Sequence, residues 1–126
     1  MRGIRGATTI EKDERERVSA AVRELLEAIL SANPDLRSAD IASAIFTVTG
    51  DIASAFPAAA ARAMGWEEVP MLCTREIPVS GSLPLCIRVL LHWNTEKNSQ
   101  EIKHVYLRNA KALRPDWALS NSREEA

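Results

Sequence analysis

The sequence predicts an α+β fold, a mixed β-sheet covered by helices on one face. Three observations lead there. The stretch "CIRVLLHW" places Ile87, Val89, Leu91 and Trp93 on one side of an extended chain, the period-2 pattern of a half-buried strand. The stretch "VSAAVRELLEAILSA" instead repeats its apolar residues at helical spacing. The order of such segments is strand, helix, strand, short helix and three strands, which suits a single two-layer domain.

The first strand is expected over about residues 2–10, "RGIRGATTI", with Arg2 and Ile4 on one face and Gly3 and Arg5 on the other. Gly3 and Gly6 weaken the strand but let another backbone or a ligand come close. Asp13 followed by Glu16 resembles a capping box. The helix that follows has Val18, Val22, Leu25, Ile29 and Ala32 as its apolar stripe and ends at Asn33-Pro34. A second strand is expected over Ser43 to Thr49, then a short alanine-rich helix with Pro57 in its first turn and Gly65 as its stop. The third strand, Val69 to Thr74, ends just before Glu76, and the fourth follows after a loop holding Pro78, Gly81 and Pro84. So short a connection predicts that these two strands are neighbours in the sheet. "NTEKNSQEI" reads as a polar or helical turn, and "KHVYLRNAKAL" as a fifth strand with His104, Tyr106 and Arg108 opposite Val105 and Leu107. Residues 1–116 form one domain on this reading, and 117–126 a flexible tail.

Composition narrows the function. The chain has 126 residues, 46% hydrophobic and 26% charged, enough for one modest core. A net charge of −1 lacks the basic footprint of a general nucleic-acid binder. No apolar run is long enough for a membrane span, and "MRGIRGATTI" lacks the apolar core of a signal peptide, so a cytoplasmic location is expected. Cys73 and Cys86 read as two unpaired thiols, and His92 and His104 complete no metal-ligand spacing. A helix-covered sheet of this size leaves its other face to bury, which points to oligomerisation.

Neither a Ser-His-Asp grouping nor a Gly-rich phosphate loop is present. What stands out is arginine: Arg5, Arg62, Arg88 and Arg114, with one carboxylate, Glu76, and one phenol, Tyr106. Arg88 lies on the fourth strand between apolar neighbours, where a guanidinium needs either a structural carboxylate or an anionic ligand. Several arginines in a nearly neutral chain suit a small polyanion, most naturally a dicarboxylate.

At this point the sequence resembles a known family, the monofunctional, homotrimeric chorismate mutases of the pseudo-α/β-barrel class. "RGIRGATT", "FPAAAAR", "VPMLCTREIPV", "CIRVLLHWNT" and "HVYLRNAKALRPD" carry the resemblance, in order, over nearly the whole chain. It implies the Claisen rearrangement of chorismate to prephenate, at the branch to phenylalanine and tyrosine, in clefts between subunits and without a cofactor or metal. Carried over, Arg88 would donate to the ether oxygen of the breaking bond. Arg5 would bind a substrate carboxylate close by, and Tyr106 would also contact it. Glu76 would accept from the ring hydroxyl, assisted by the backbone of Cys73, with Thr74 beside it. Phe56 and Arg62 would come from the adjacent subunit, and Leu113 and Arg114 would help close the mouth. Where some members have lysine after "FPA", this chain has Ala59, so one peripheral cation is missing.

The chemistry suits these residues. A pericyclic rearrangement needs no nucleophile or general base, only a compact conformer and a preorganised field. Two other readings stand beside it: a trimeric, imine deaminase-like protein that binds small carboxylates, and a non-catalytic sensor of an aromatic-pathway anion. The Cys73–Glu76 stretch together with Arg88 speaks for the mutase.

Overall fold

Five strands form one mixed sheet in the order β3-β2-β4-β1-β5. The computed structural model describes residues 1–115, so the expected tail, 117–126, lies outside the described residues. The strands are β1 (Arg2–Thr9), β2 (Ile41–Val48), β3 (Met71–Arg75), β4 (Cys86–Trp93) and β5 (Val105–Tyr106). The helices are α1 (Arg15–Ala32) and α2 (Pro57–Ala63). β4 runs antiparallel to both β1 and β2, while β3 is parallel to β2 and β5 is parallel to β1. The sheet is therefore mixed, as expected.

Helix α1 covers one face through Val18, Ala21, Val22, Leu25, Leu26 and Ile29, all buried. They meet Ile4, Phe46, Ile87, Val89, Leu91 and Trp93 in one apolar cluster. Truncating a fully buried residue such as Leu25 to alanine would cost about 2–5 kcal/mol. Gly6 is the close approach that the sequence suggested. A Cβ there would lie 2.8 Å from Cδ1 of Ile29 and 3.2 Å from Cδ1 of Leu25, so a larger residue would have to push the ends of these buried side chains aside for α1 to stay this near β1.

The other face carries Arg5, Ile45, Thr47, Arg88, Leu90 and His92, all half-buried. This contrast within β2 and β4 is the period-2 pattern resolved in space: one face is core, and the other is open enough to receive something.

Three expectations need correction. β3 and β4 are not neighbours, because β2 lies between them. The 76–85 connection is short, but β3 finds its ladder on β2 instead, and the main-chain N–H of Glu76 donates to the carbonyl of Val48 at 2.9 Å. Asp13 and Glu16 form no capping box. Glu14 occupies the N-cap without a side-chain bond, and Asp13 instead accepts from the N–H groups of Ala53 and Ser54 at 3.0 and 3.2 Å. The nearby Ser54 side chain, with those backbone bonds, holds the Asp13 carboxyl below its usual range. The fifth strand is only two residues long. Arg108 takes φ 53°, a left-handed conformation that no strand continues through, and Arg108–Leu113 winds into a 3-10 helix.

Candidate active site

One register row crosses the whole sheet on its open face. Thr74 pairs with Thr47, Thr47 with Arg88, Arg88 with Ala7, and Ala7 with Tyr106. Directly paired residues project to the same side, so four chemistry-bearing side chains stand abreast, with the small Ala7 between Arg88 and Tyr106. Arg5 lies two residues before Ala7 on β1 and shares the face.

Glu76 leaves β3 at its end and turns its carboxylate into this row. Its Oε2 lies 3.4 Å from Nε of Arg88, and it accepts a short hydrogen bond from the Thr47 hydroxyl. Of the two partners that its apolar neighbours call for, a structural carboxylate or an anionic ligand, Arg88 has the first in Glu76. Nε is enclosed, however, and its contact with Glu76 is an ion pair without hydrogen-bond geometry. The arginine is therefore electrostatically compensated on a half-buried face, and a planar guanidinium there suits a planar or anionic acceptor. Cys86, next but one on the same strand, is buried and unpaired, and burial pushes its thiol up.

Tyr106 is buried against Ala7 and Ala110, with Leu83 and Leu113 packed beside it. The 3-10 helix thus folds back over β1 and brings Leu113 to the row. Arg5, His104 and Arg114 form a second, cationic corner. The N–H of Arg5 donates to Nδ1 of His104 at 3.0 Å. The His104 pKa is lowered to about 4, first by burial and then by the positive charges of Arg5 and Arg114. The imidazole is neutral near pH 7 and, with Nδ1 accepting, carries its proton on Nε2. The approach to His104 is itself anchored. The buried Asn33 donates to the carbonyls of Ile29 and Lys103 and accepts from the Lys103 N–H, so the helix stop also clamps the segment leading into β5.

Arg88, Glu76, Arg5, Tyr106, Thr74, Leu113 and Arg114 are therefore placed on or around one face. Phe56, Arg62 and the Cys73 side chain are not. Cys73 pairs with the core residue Phe46 and so points to the helix side. Phe56 is 72% exposed just before α2 and lines, with Arg15, Ala59, Cys73, Thr74 and Arg75 among others, a cleft of about 540 Å³ that Arg88 does not line. Arg62 is exposed in the last turn of α2. Thr47 and His104 were not picked out as site residues from the sequence. Thr47 could have been found only from the strand register, since alternation alone puts it on the open face without saying what it meets.

Among the described residues no cluster of His, Cys, Asp and Glu is arranged to hold a metal ion, and no helix is long and apolar enough to cross a membrane.

Residues 1–117 match the family model described as chorismate mutase type I. The chain is 53% identical over 116 residues to the chorismate mutase AroH of Thermus thermophilus, spanning 92% of this chain and 95% of that one. It is 39% identical over 125 residues to the chorismate mutase AroH of Bacillus subtilis, 98% of each chain. A solved structure of chorismate mutase from Clostridium thermocellum superposes with a TM-score of 0.86 at 47% identity, over 89% of this chain and 99% of that one. With an α+β fold shared over nearly its full length and relatives this similar, the chain belongs to the type I chorismate mutase family.

Proposed function

We propose that this isomerase rearranges chorismate to prephenate on the open face of its sheet, with Arg88, Glu76 and Arg5 as the catalytic set. The observation that carries the assignment is the convergence of Arg88 and Glu76 at 3.4 Å on a half-buried face. The reaction breaks a carbon–oxygen ether bond and forms a carbon–carbon bond within one molecule. Negative charge grows on the ether oxygen and positive charge on the ring. Arg88 donates to the first, and Glu76 lies near the second while accepting from the ring hydroxyl. Arg5 binds a carboxylate of the substrate at the cationic corner, and Tyr106 contacts the same group. The main chain of Cys73 and the side chain of Thr74 line the ring side. Leu113 and Arg114 narrow the mouth. No proton need be transferred, and the neutral His104 next to Arg5 is consistent with that.

The site is completed by a second copy of the chain in a homotrimer. In one protomer Phe56 and Arg62 sit on α2, on the helix side of the sheet, and cannot wall the Arg88 cleft. Their exposure suits a role as the far wall of a neighbour's site, Phe56 closing it with an apolar ring and Arg62 adding charge at the entrance. Neither a nucleic-acid nor a membrane partner is part of this reading, the location is cytoplasmic, and the product feeds phenylalanine and tyrosine synthesis. Incubating the purified protein with chorismate and identifying the product tests the activity. Prephenate is expected; unchanged chorismate would refute it. Native mass spectrometry tests the trimer.

A further inference from the structure

We propose that Thr47 is a positioning residue for the rearrangement, acting through Glu76. The proposal rests on the reading of Glu76 as the group that meets the substrate ring. Glu76 follows the last residue of an edge strand, where a carboxylate on a flexible stem would sample several rotamers. Two successive residues of β2 prevent that. The carbonyl of Val48 accepts from the main-chain N–H of Glu76 at 2.9 Å, and the Thr47 hydroxyl donates to the carboxylate Oε2. An ionised carboxylate only accepts, so the hydroxyl proton must point at Glu76.

The same Oε2 faces Arg88 at 3.4 Å. Thr47 and Arg88 therefore both engage one oxygen. This sets the plane of the carboxylate and leaves Oε1 as the oxygen presented to a ring hydroxyl. Register explains why the arrangement holds: Thr47 is paired directly with Arg88 on one side and with Thr74 on the other, so its Oγ1 cannot drift from the row. A β-branched side chain in a strand is also stiff at χ1. The hydroxyl thus fixes the distance between the site's negative and positive groups before any substrate arrives, and no reorganisation is needed during the reaction.

The test is a double-mutant cycle on the intact protein with chorismate as substrate. Thr47→Val keeps shape and branching but removes the donor. It is expected to lower kcat by about tenfold or more, the scale of a hydrogen bond to a charged group, with a smaller change in KM. Thr47→Ser keeps the hydroxyl and should stay within about threefold of the parent. In a Glu76→Ala background, Thr47→Val should have almost no further effect, because the group it orients is gone. Thermal unfolding of each variant controls for folding, and Thr47→Ala takes the place of the valine variant if that one does not fold. Wild-type kcat in Thr47→Val, an equal loss in Thr47→Ser, or independent multiplying losses with Glu76→Ala would each overturn the proposal. Full activity in Glu76→Ala alone would instead overturn the role of Glu76, and with it the argument for Thr47.

Discussion

Glu76 and Arg88 meet at 3.4 Å although β3, whose end Glu76 follows, and β4, which holds Arg88, are not neighbours. β2 lies between, and the carboxylate reaches across it from the end of β3. The pair is therefore a product of sheet order and not of a hairpin. It also shows why the arginine tolerates its apolar strand: the Glu76 carboxylate compensates its charge.

Arg88→Ala is expected to lower kcat by at least about 10²–10³, the scale of losing one oxyanion donor. Arg88→Lys keeps the charge but not the planar fork, and should recover only part of the loss. Steady-state kinetics that show unchanged kcat with raised KM would make Arg88 a binding residue only.

His104 leads to two linked expectations on pH. Its pKa is lowered to about 4 in the folded protein, against about 6.5 when unfolded. Between those values the unfolded chain binds the extra proton, so stability rises with pH across that window and falls on acidification. His104 is half-buried, so screening reduces the effect to a modest one. Urea unfolding from pH 7 to pH 4 should show a shallower loss in His104→Leu than in the parent, once other groups cancel. In contrast, kcat should be nearly flat across the neutral range, since no proton moves in the reaction and this imidazole does not titrate there. A bell-shaped profile with two steep limbs would point to acid–base chemistry.

Mixing separates one-chain from two-chain sites. Arg62→Ala and Arg88→Ala proteins should each have low activity. Refolded together in equal amounts, about a quarter of intersubunit sites would receive both arginines intact, and activity should rise towards roughly a quarter of the parent. If mixed oligomers form, as mass spectrometry would verify, and activity does not rise, both arginines act within one subunit.

The glycines of β1 should differ sharply. Gly6→Ala forces a Cβ to 2.8 Å from Ile29 and should destabilise by about 1–3 kcal/mol, read as a lower urea midpoint. At Gly3 the nearest side-chain atom is Cδ1 of Leu90 at 3.4 Å, ordinary contact, so Gly3→Ala should change little.

What the sequence made legible follows from how local each signal is. The β4 alternation and the α1 stripe need only neighbours along the chain, and Val89, Leu91, Leu25 and Ile29 are buried as read. The partner of β3 depends on a competition between two ladders that chain spacing cannot rank. The early end of β5 depends on one backbone angle at Arg108. In the site, Arg88 and Glu76 could be read because charges next to apolar strands are conspicuous. Thr47 is an ordinary strand residue and His104 an ordinary residue just before β5 until the folded chain shows that one touches Glu76 and the other the N–H of Arg5.

The pairing of β1 with β4 bears on how the molecule is made. Arg2 lies opposite Trp93 and Thr9 opposite Cys86, so the central ladder joins segments from opposite ends of the described chain. The loop closed by that ladder is most of the protein, and its entropy is lost before the contacts repay it. During synthesis β1 has no strand partner until β4 has emerged, although α1 can already pack on its Ile4 face. The face proposed as catalytic is thus among the last features to exist, since Arg5, Glu76 and Arg88 come together only when that long-range ladder closes.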